Sequence, residues 1–109
     1  MITVVETKTF AKQGCLDEKQ VEKLTLLLAD NPKAGDLIPR TGGLRKLRFA
    51  IGNKGKSGGS RVIYYYHNKN HPVFLIYAYA KAKQEDLTPA QEQVFAALVQ
   101  EIKKGLGHG

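Results

Sequence analysis

Two neighbouring segments, RVIYYYH at residues 61–67 and VFLIYAYA at residues 73–80, decide the fold. The first segment is predicted to be a β-strand that places Val62, Tyr64 and Tyr66 on one face and Arg61, Ile63 and Tyr65 on the other. The second segment is apolar throughout, as expected of a strand inside a sheet that is covered on both faces. The turn-forming residues 68–72 separate them, so the two strands are predicted to form a hairpin.

The sequence on either side supplies the remaining elements. Apolar and basic side chains alternate along residues 46–49, which predicts a strand over residues 44–51. Residues 2–5 form a short β-prone run. Capping signals predict a short helix after Thr7, a second helix after Asp17, and a third that begins at Thr88 and ends at residue 105. The predicted order is β-α-α-β-β-β-α. This order indicates an α+β fold, a small antiparallel β-sheet of about four strands with its helices packed on one face.

Length and composition favour one small domain. The chain has 109 residues, so residues 1–109 are expected to form one domain with a frayed tail at 105–109. Its only cysteine is Cys15, which excludes an internal disulfide. The longest apolar stretch is far shorter than the roughly 18–20 residues that a membrane span needs. We therefore expect a cytoplasmic protein with no membrane partner.

The charge is distributed unevenly along the chain. The formal net charge is +7, and no acidic residue occurs between Leu37 and Gln84. The basic residues of that window are Arg40, Arg45, Lys46, Arg48, Lys54, Lys56, Arg61, Lys69, Lys81 and Lys83. Unopposed cations repel one another, so their concentration favours a polyanionic partner. Nucleic acid is the first expectation, and an acidic protein partner is the second.

Three of these cations are predicted to meet on the sheet. If the strands over 44–51 and 61–67 pair, then Lys46, Arg48 and Arg61 share a face opposite the core, and Tyr65 lies beside them. Guanidinium groups that bind phosphate and a ring on which a base stacks would suit RNA. Fixed cations would also stabilise the charge that develops in phosphoryl transfer. The alternative is a solvated sheet face without catalytic function.

Other kinds of site find little support. The sequence contains no Cys/His cluster with zinc-ligand spacing and no Walker loop. The carboxylates lie outside the basic window, so neither a metal nor a cofactor is expected. The glycine-rich stretch at 52–60 carries Lys54 and Lys56 and is interpreted as a flexible, phosphate-binding loop. The histidines at positions 67 and 71 are interpreted as surface residues.

The segments NPKAGDLIP at 31–39, TGGLRKLR at 41–48 and GGSRVIYY at 58–65 closely resemble the RelE/HigB-type toxins of bacterial type II toxin–antitoxin systems, especially the HigB-like branch. The resemblance implies a RelE-like fold and a ribosome-dependent mRNA endonuclease, or mRNA interferase. In that reaction the RNA 2′-hydroxyl attacks the adjacent phosphate without a metal ion. The products are a cyclic phosphate and a free 5′-hydroxyl.

The resemblance also implies roles for individual residues. The implied catalytic residues are Arg61, Lys46, Arg48 and Lys81. The expected RNA-binding residues are Arg45, Lys54, Lys56, Tyr65 and Lys83. Among the implied catalytic residues, Arg61 corresponds to the arginine of the family that stabilises the transition-state phosphate. The proton-transfer residues of the family have no clear counterpart here, and Tyr65 or Lys81 are the candidates.

The expected partners follow from the same resemblance. They are the ribosome with its messenger and a cognate helix-turn-helix antitoxin of the HigA-like type. Operator DNA would be bound only through the antitoxin complex. Two other functions stay open, a ParE-like inhibitor of DNA gyrase with the same fold and a non-catalytic RNA-binding module.

Overall fold

The computed structural model describes residues 2–50 and 59–107. Their elements in chain order are β1 (Val4–Glu6), α1 (Lys8–Ala11), α2 (Glu18–Asp30), β2 (Asp36–Leu37), β3 (Leu44–Phe49), β4 (Ser60–Tyr66), β5 (Val73–Ala80) and α3 (Pro89–Leu106). The strands form a five-stranded sheet in the order β1-β5-β4-β3-β2. The predicted α+β class and the β4–β5 hairpin are confirmed.

The sheet differs from the prediction at both edges. At one edge, β1 runs parallel to β5, so the sheet is mixed rather than wholly antiparallel. The Thr7 backbone N–H and hydroxyl both donate to the Leu75 carbonyl, at 3.1 and 2.7 Å, and so hold the end of β1 against β5. At the other edge, the two-residue strand β2 pairs with Arg45 and Lys46 of β3. The order predicted from the sequence has no strand between the second helix and residues 44–51, so β2 was not predicted.

The helices cover both faces of the sheet, so the prediction of helices on one face is wrong. One core joins Phe10 of α1 and Leu24 of α2 to one face of the sheet. A second core joins Phe95 and Val99 of α3 to the opposite face. The physical reason is that β4 and β5 carry apolar side chains on both faces, and each face must be shielded from water.

The helix boundaries follow the capping signals. Asp17 and Gln20 form a reciprocal capping box before α2, and Thr88 and Gln91 form another before α3. Each box satisfies two backbone N–H groups that have no partner within the helix. The third helix ends at Leu106, one residue beyond the predicted end at Gly105. Within the described residues, no helix has the length and apolar character needed to cross a bilayer.

A bulge in β5 sets the faces of the strand that leads to the candidate site. Tyr64 pairs with Leu75 and Ile63 pairs with Tyr77, which leaves Ile76 as the extra residue. Ile76 and Tyr77 therefore both contribute to the core under α3. Beyond the bulge, Tyr79 lies directly opposite Arg61.

Candidate nucleic-acid interface

The register of β3 and β4 brings three of the predicted cations onto one face. Arg48 is paired with Arg61, and Lys46 is paired with Ile63. Because side chains of the same parity share a face, these residues lie on the side of the sheet that α3 covers. The expectation that this face lies opposite the core is therefore wrong. The cations stand at the border of the second core.

A groove of about 570 Å³ lies beside these cations. One wall is the segment 34–39, which includes β2 and the exposed Leu37. Lys46 and Arg48 line its floor, and Asp86 and Glu92 line the opposite wall. Cavities of this size commonly hold small ligands. The groove combines apolar side chains with charges of both signs.

One ion pair crosses the groove. Lys46 Nζ lies 2.5 Å from Asp86 Oδ1, and the two side chains are 28% and 64% exposed. The hydrogen bond and charge of Lys46 lower the pKa of the Asp86 carboxyl, and Arg61 adds to this effect. Asp86 was not a candidate from the sequence because it stands just outside the acid-free window. Its partner is 40 positions away in the chain, a distance over which local patterns give no signal.

Arg61 is buried rather than displayed on an open face. Only 5% of the residue is exposed, and its Nη1 donates to the Ser60 carbonyl at 3.3 Å. Tyr79 lies opposite it in the sheet. Burial raises the pKa of Tyr79 to about 12; Asp86 adds to the rise and Arg61 opposes it. Arg61, Tyr79 and Asp86 therefore form one electrostatic group at this end of the sheet.

Tyr65 is not available for the role that the sequence predicted. The residue is 3% exposed, and Lys103 of α3 lies over its ring with Nζ 5.9 Å from the centroid. Its hydroxyl is 2.8 Å from Nδ1 of His67, and burial raises its pKa. A covered ring offers no face on which a base can stack, and a raised pKa disfavours formation of the phenolate that would accept a proton. Tyr65 is covered because α3 packs on this face of the sheet. The sequence predicted the helix but not its position on this face.

The other predicted residues are placed as follows. Arg48 and Lys83 are exposed, and Lys81 is half-buried at the end of β5, where its backbone N–H donates to the Gly59 carbonyl at 3.1 Å. Arg45 Nη1 donates to the Gly35 carbonyl at 2.7 Å, so its guanidinium supports the groove wall. Lys54 and Lys56 lie outside the described residues.

With this geometry in place, the comparison with known families decides the identity. A family model described as the RelE toxin of the RelE/RelB toxin–antitoxin system matches residues 3–106. The chain belongs to the RelE toxin family. The match spans both walls of the groove and all the described cations, and it confirms the resemblance to RelE-type toxins. As a RelE-family toxin, the protein acts within a toxin–antitoxin pair and has an antitoxin partner.

The groove wall of this RelE-family protein is held from inside the core. The fully buried Tyr64 hydroxyl accepts the Gly35 N–H at 2.8 Å and donates to the Pro32 carbonyl at 2.7 Å. A Cβ added at Gly35 would lie 2.9 Å from the Lys46 carbonyl oxygen. Tyr64 and Gly35 therefore fix the segment that lies beside Lys46 and lines the groove.

The Tyr64 hydroxyl is expected to contribute measurably to stability. Tyr64→Phe removes it and leaves the buried Gly35 N–H unsatisfied, which costs about 1–3 kcal/mol of unfolding free energy. Urea denaturation checks this value. Tyr66→Phe removes the same atom from a half-buried ring on the same strand and serves as the control. Equal losses in the two variants would contradict the assigned role of Tyr64.

Proposed function

We propose that this protein is a ribosome-dependent mRNA endonuclease of the HigB-like branch, which cleaves messenger RNA in the decoding site and so inhibits translation. The observation that carries the proposal is the pairing of Arg48 with Arg61, with Lys46 on the same face beside the groove. Membership of the RelE family supports it. Lys46 and Arg48 line the groove, and the buried Arg61 is paired with Arg48 in the sheet. This group of cations suits a phosphodiester that gains negative charge during cleavage.

In the proposed reaction, the RNA supplies its own nucleophile. The 2′-oxygen loses its proton to solvent water and forms a bond to the adjacent phosphorus, and the bond from phosphorus to the 5′-oxygen breaks. The leaving 5′-oxygen gains a proton, so the products are a 2′,3′-cyclic phosphate and a 5′-hydroxyl. Arg61, Arg48 and Lys46 would stabilise the extra charge on the phosphate oxygens. Arginine is suited to this role because its planar fork can engage two oxygens at once.

The proton-transfer role is proposed for Lys81. Of the two candidates from the sequence, Tyr65 is covered by α3 and hydrogen-bonded to His67. Lys81 directly follows β5, two residues after Tyr79, which lies opposite Arg61. Its ammonium would donate a proton to the leaving 5′-oxygen. Lys83, exposed in the same segment, would bind the RNA backbone.

The proposed antitoxin is a HigA-like helix-turn-helix protein that binds its operator DNA together with the toxin. A net charge of +7 favours rapid association with an acidic partner. The same charge suits the ribosome, whose surface in the decoding site is RNA. Operator DNA would contact the complex through the antitoxin.

Expression of the chain alone is expected to stop growth by cutting translated messengers. The test is to induce it in a bacterium and map messenger 5′ ends, with Arg61→Ala as the inactive comparison. New ends carrying a 5′-hydroxyl, confined to translated frames, are the expected result. Intact messengers with altered plasmid supercoiling would instead favour the gyrase-inhibitor alternative. Ribosome binding without new ends would favour the non-catalytic RNA-binding module.

A further inference from the structure

We propose that the Asp86 carboxylate occupies a phosphate-binding position on Lys46, and that an RNA phosphate must displace it. Asp86 would thus be an internal competitor of the substrate. This inference rests on the proposed function, because it assumes that Lys46 binds RNA phosphate. The cations of the groove promote RNA binding, and Asp86 would be a residue that opposes it.

The contact has the features of a phosphate mimic. The Asp86 oxygen lies 2.5 Å from Lys46 Nζ, and its pKa is lowered by both Lys46 and Arg61. A carboxylate oxygen therefore already interacts electrostatically with two cations that are proposed to act on the substrate. A phosphate oxygen and a carboxylate oxygen compete for the same ammonium donors. The two anions would also repel each other if both remained in the groove.

The structure allows the exchange without unfolding. The Asp86 side chain is 64% exposed, so it can move to water by changing rotamer. The backbone around it is anchored separately, because Leu87 is buried and Gln84 Nε2 donates to the Asp86 carbonyl at 2.9 Å. Exposed ion pairs contribute little to folding stability. The pair is therefore weak enough to be replaced by a polyanion that makes several contacts at once.

The alternative role is a simple structural link between β3 and the segment before α3. The two roles predict opposite effects of Asp86→Asn on RNA binding. A structural link would lose its ion pair, and binding would weaken as Lys46 and the groove wall loosened. An internal competitor would lose its charge, and binding would become tighter because Lys46 no longer has to be released.

The experiment measures affinity and cleavage separately on ribosomes. Binding is measured with ribosomes programmed with a 2′-O-methylated messenger, which lacks the nucleophile and cannot be cut. Asp86→Asn is expected to lower the dissociation constant about twofold to fivefold, the range that corresponds to an exposed ion pair. The matched control is Glu85→Gln, which makes the same charge change at the adjacent exposed position. It is expected to alter affinity by less than about 1.5-fold, because Lys46 is paired with Asp86 rather than Glu85 and salt screens exposed charges.

A double-mutant cycle identifies Lys46 as the site of competition. In a Lys46→Ala background, Asp86→Asn is expected to have no further effect on affinity, because no ammonium remains to be released. The proposal would be overturned if Asp86→Asn bound more weakly than the wild type, or if its effect were no larger than that of Glu85→Gln. It would also be overturned if the effect of Asp86→Asn persisted without Lys46.

Single-turnover cleavage of an unmodified messenger completes the test. Asp86→Asn is expected to cut at the wild-type rate once the complex is saturated. A rate at least about tenfold lower would overturn the proposal and mark Asp86 as a participant in the reaction. Failure of the wild-type protein to cut any messenger would contradict the proposed function itself. A wild-type protein that cuts, together with unchanged Asp86→Asn affinity, would contradict this inference alone.

Discussion

Arg61→Ala is expected to bind programmed ribosomes within a few-fold of the wild-type affinity but to cleave at least about a hundredfold more slowly in single turnover. Loss of one fixed donor to a developing charge typically costs about 10²–10³ in rate. Arg61 suits this role because it lies on the rigid strand β4, opposite Arg48. A cation that only binds would lower affinity and leave the saturated rate unchanged.

Two further measurements make this result interpretable. Arg61→Lys should recover little of the rate, because an ammonium lacks the planar fork that engages two phosphate oxygens. Thermal unfolding of each variant separates a lost rate from a lost fold, which matters because Arg61 is buried. If Arg61→Ala cuts at the normal rate once bound, Arg61 is an anchor, and Arg48 or Lys46 becomes the better candidate.

The buried position of Arg61 adds a condition to the proposed reaction. With 5% of the residue exposed, its guanidinium must be uncovered before a phosphate can reach it. Arg61 lowers the pKa of Asp86 through its charge, so an RNA phosphate that displaced Asp86 would replace one anion near Arg61 with another.

The elements that the sequence predicted well are those with local signals. Alternation along β3 and β4 indicated their faces, and the capping boxes at Asp17 and Thr88 marked the starts of α2 and α3. These signals arise from side chains a few positions apart. The two-residue strand β2 carries no such signal, because it exists only through its pairing with Arg45 and Lys46.

The candidate site was predictable in its residues but not in its environment. The pairing of Arg48 with Arg61 follows from two alternating strands. The cover over Tyr65 depends on where α3 docks, and the Lys46–Asp86 contact joins residues 40 positions apart. The position of α3 and of the segment before it depends on which apolar face of the sheet must be buried away from water. Ile63 and Tyr65, on the same face as Arg61, were the available sign that this face would also be buried.

Phe95→Ala is expected to lower the free energy of unfolding by about 3–5 kcal/mol, the usual cost of removing a buried aromatic side chain. Phe95 lies in the core under α3, with its ring centroid 5.2 Å from that of Tyr77. This loss is a large part of the free energy of unfolding of a typical domain, which is about 5–15 kcal/mol. Urea denaturation followed by circular dichroism measures it.

The neighbouring residue of α3 provides a matched control. Val94 is 64% exposed, and Val94→Ala should change stability by no more than about 0.5 kcal/mol. If Phe95→Ala cost no more than Val94→Ala, α3 would not be docked on the sheet, and Tyr65 would regain the open face that the sequence predicted. A large difference between the two variants would establish that the cations of β3 and β4 stand at the margin of a core. The buried Arg61 would then be held by packing before any RNA arrives, which favours charge stabilisation in the proposed cleavage.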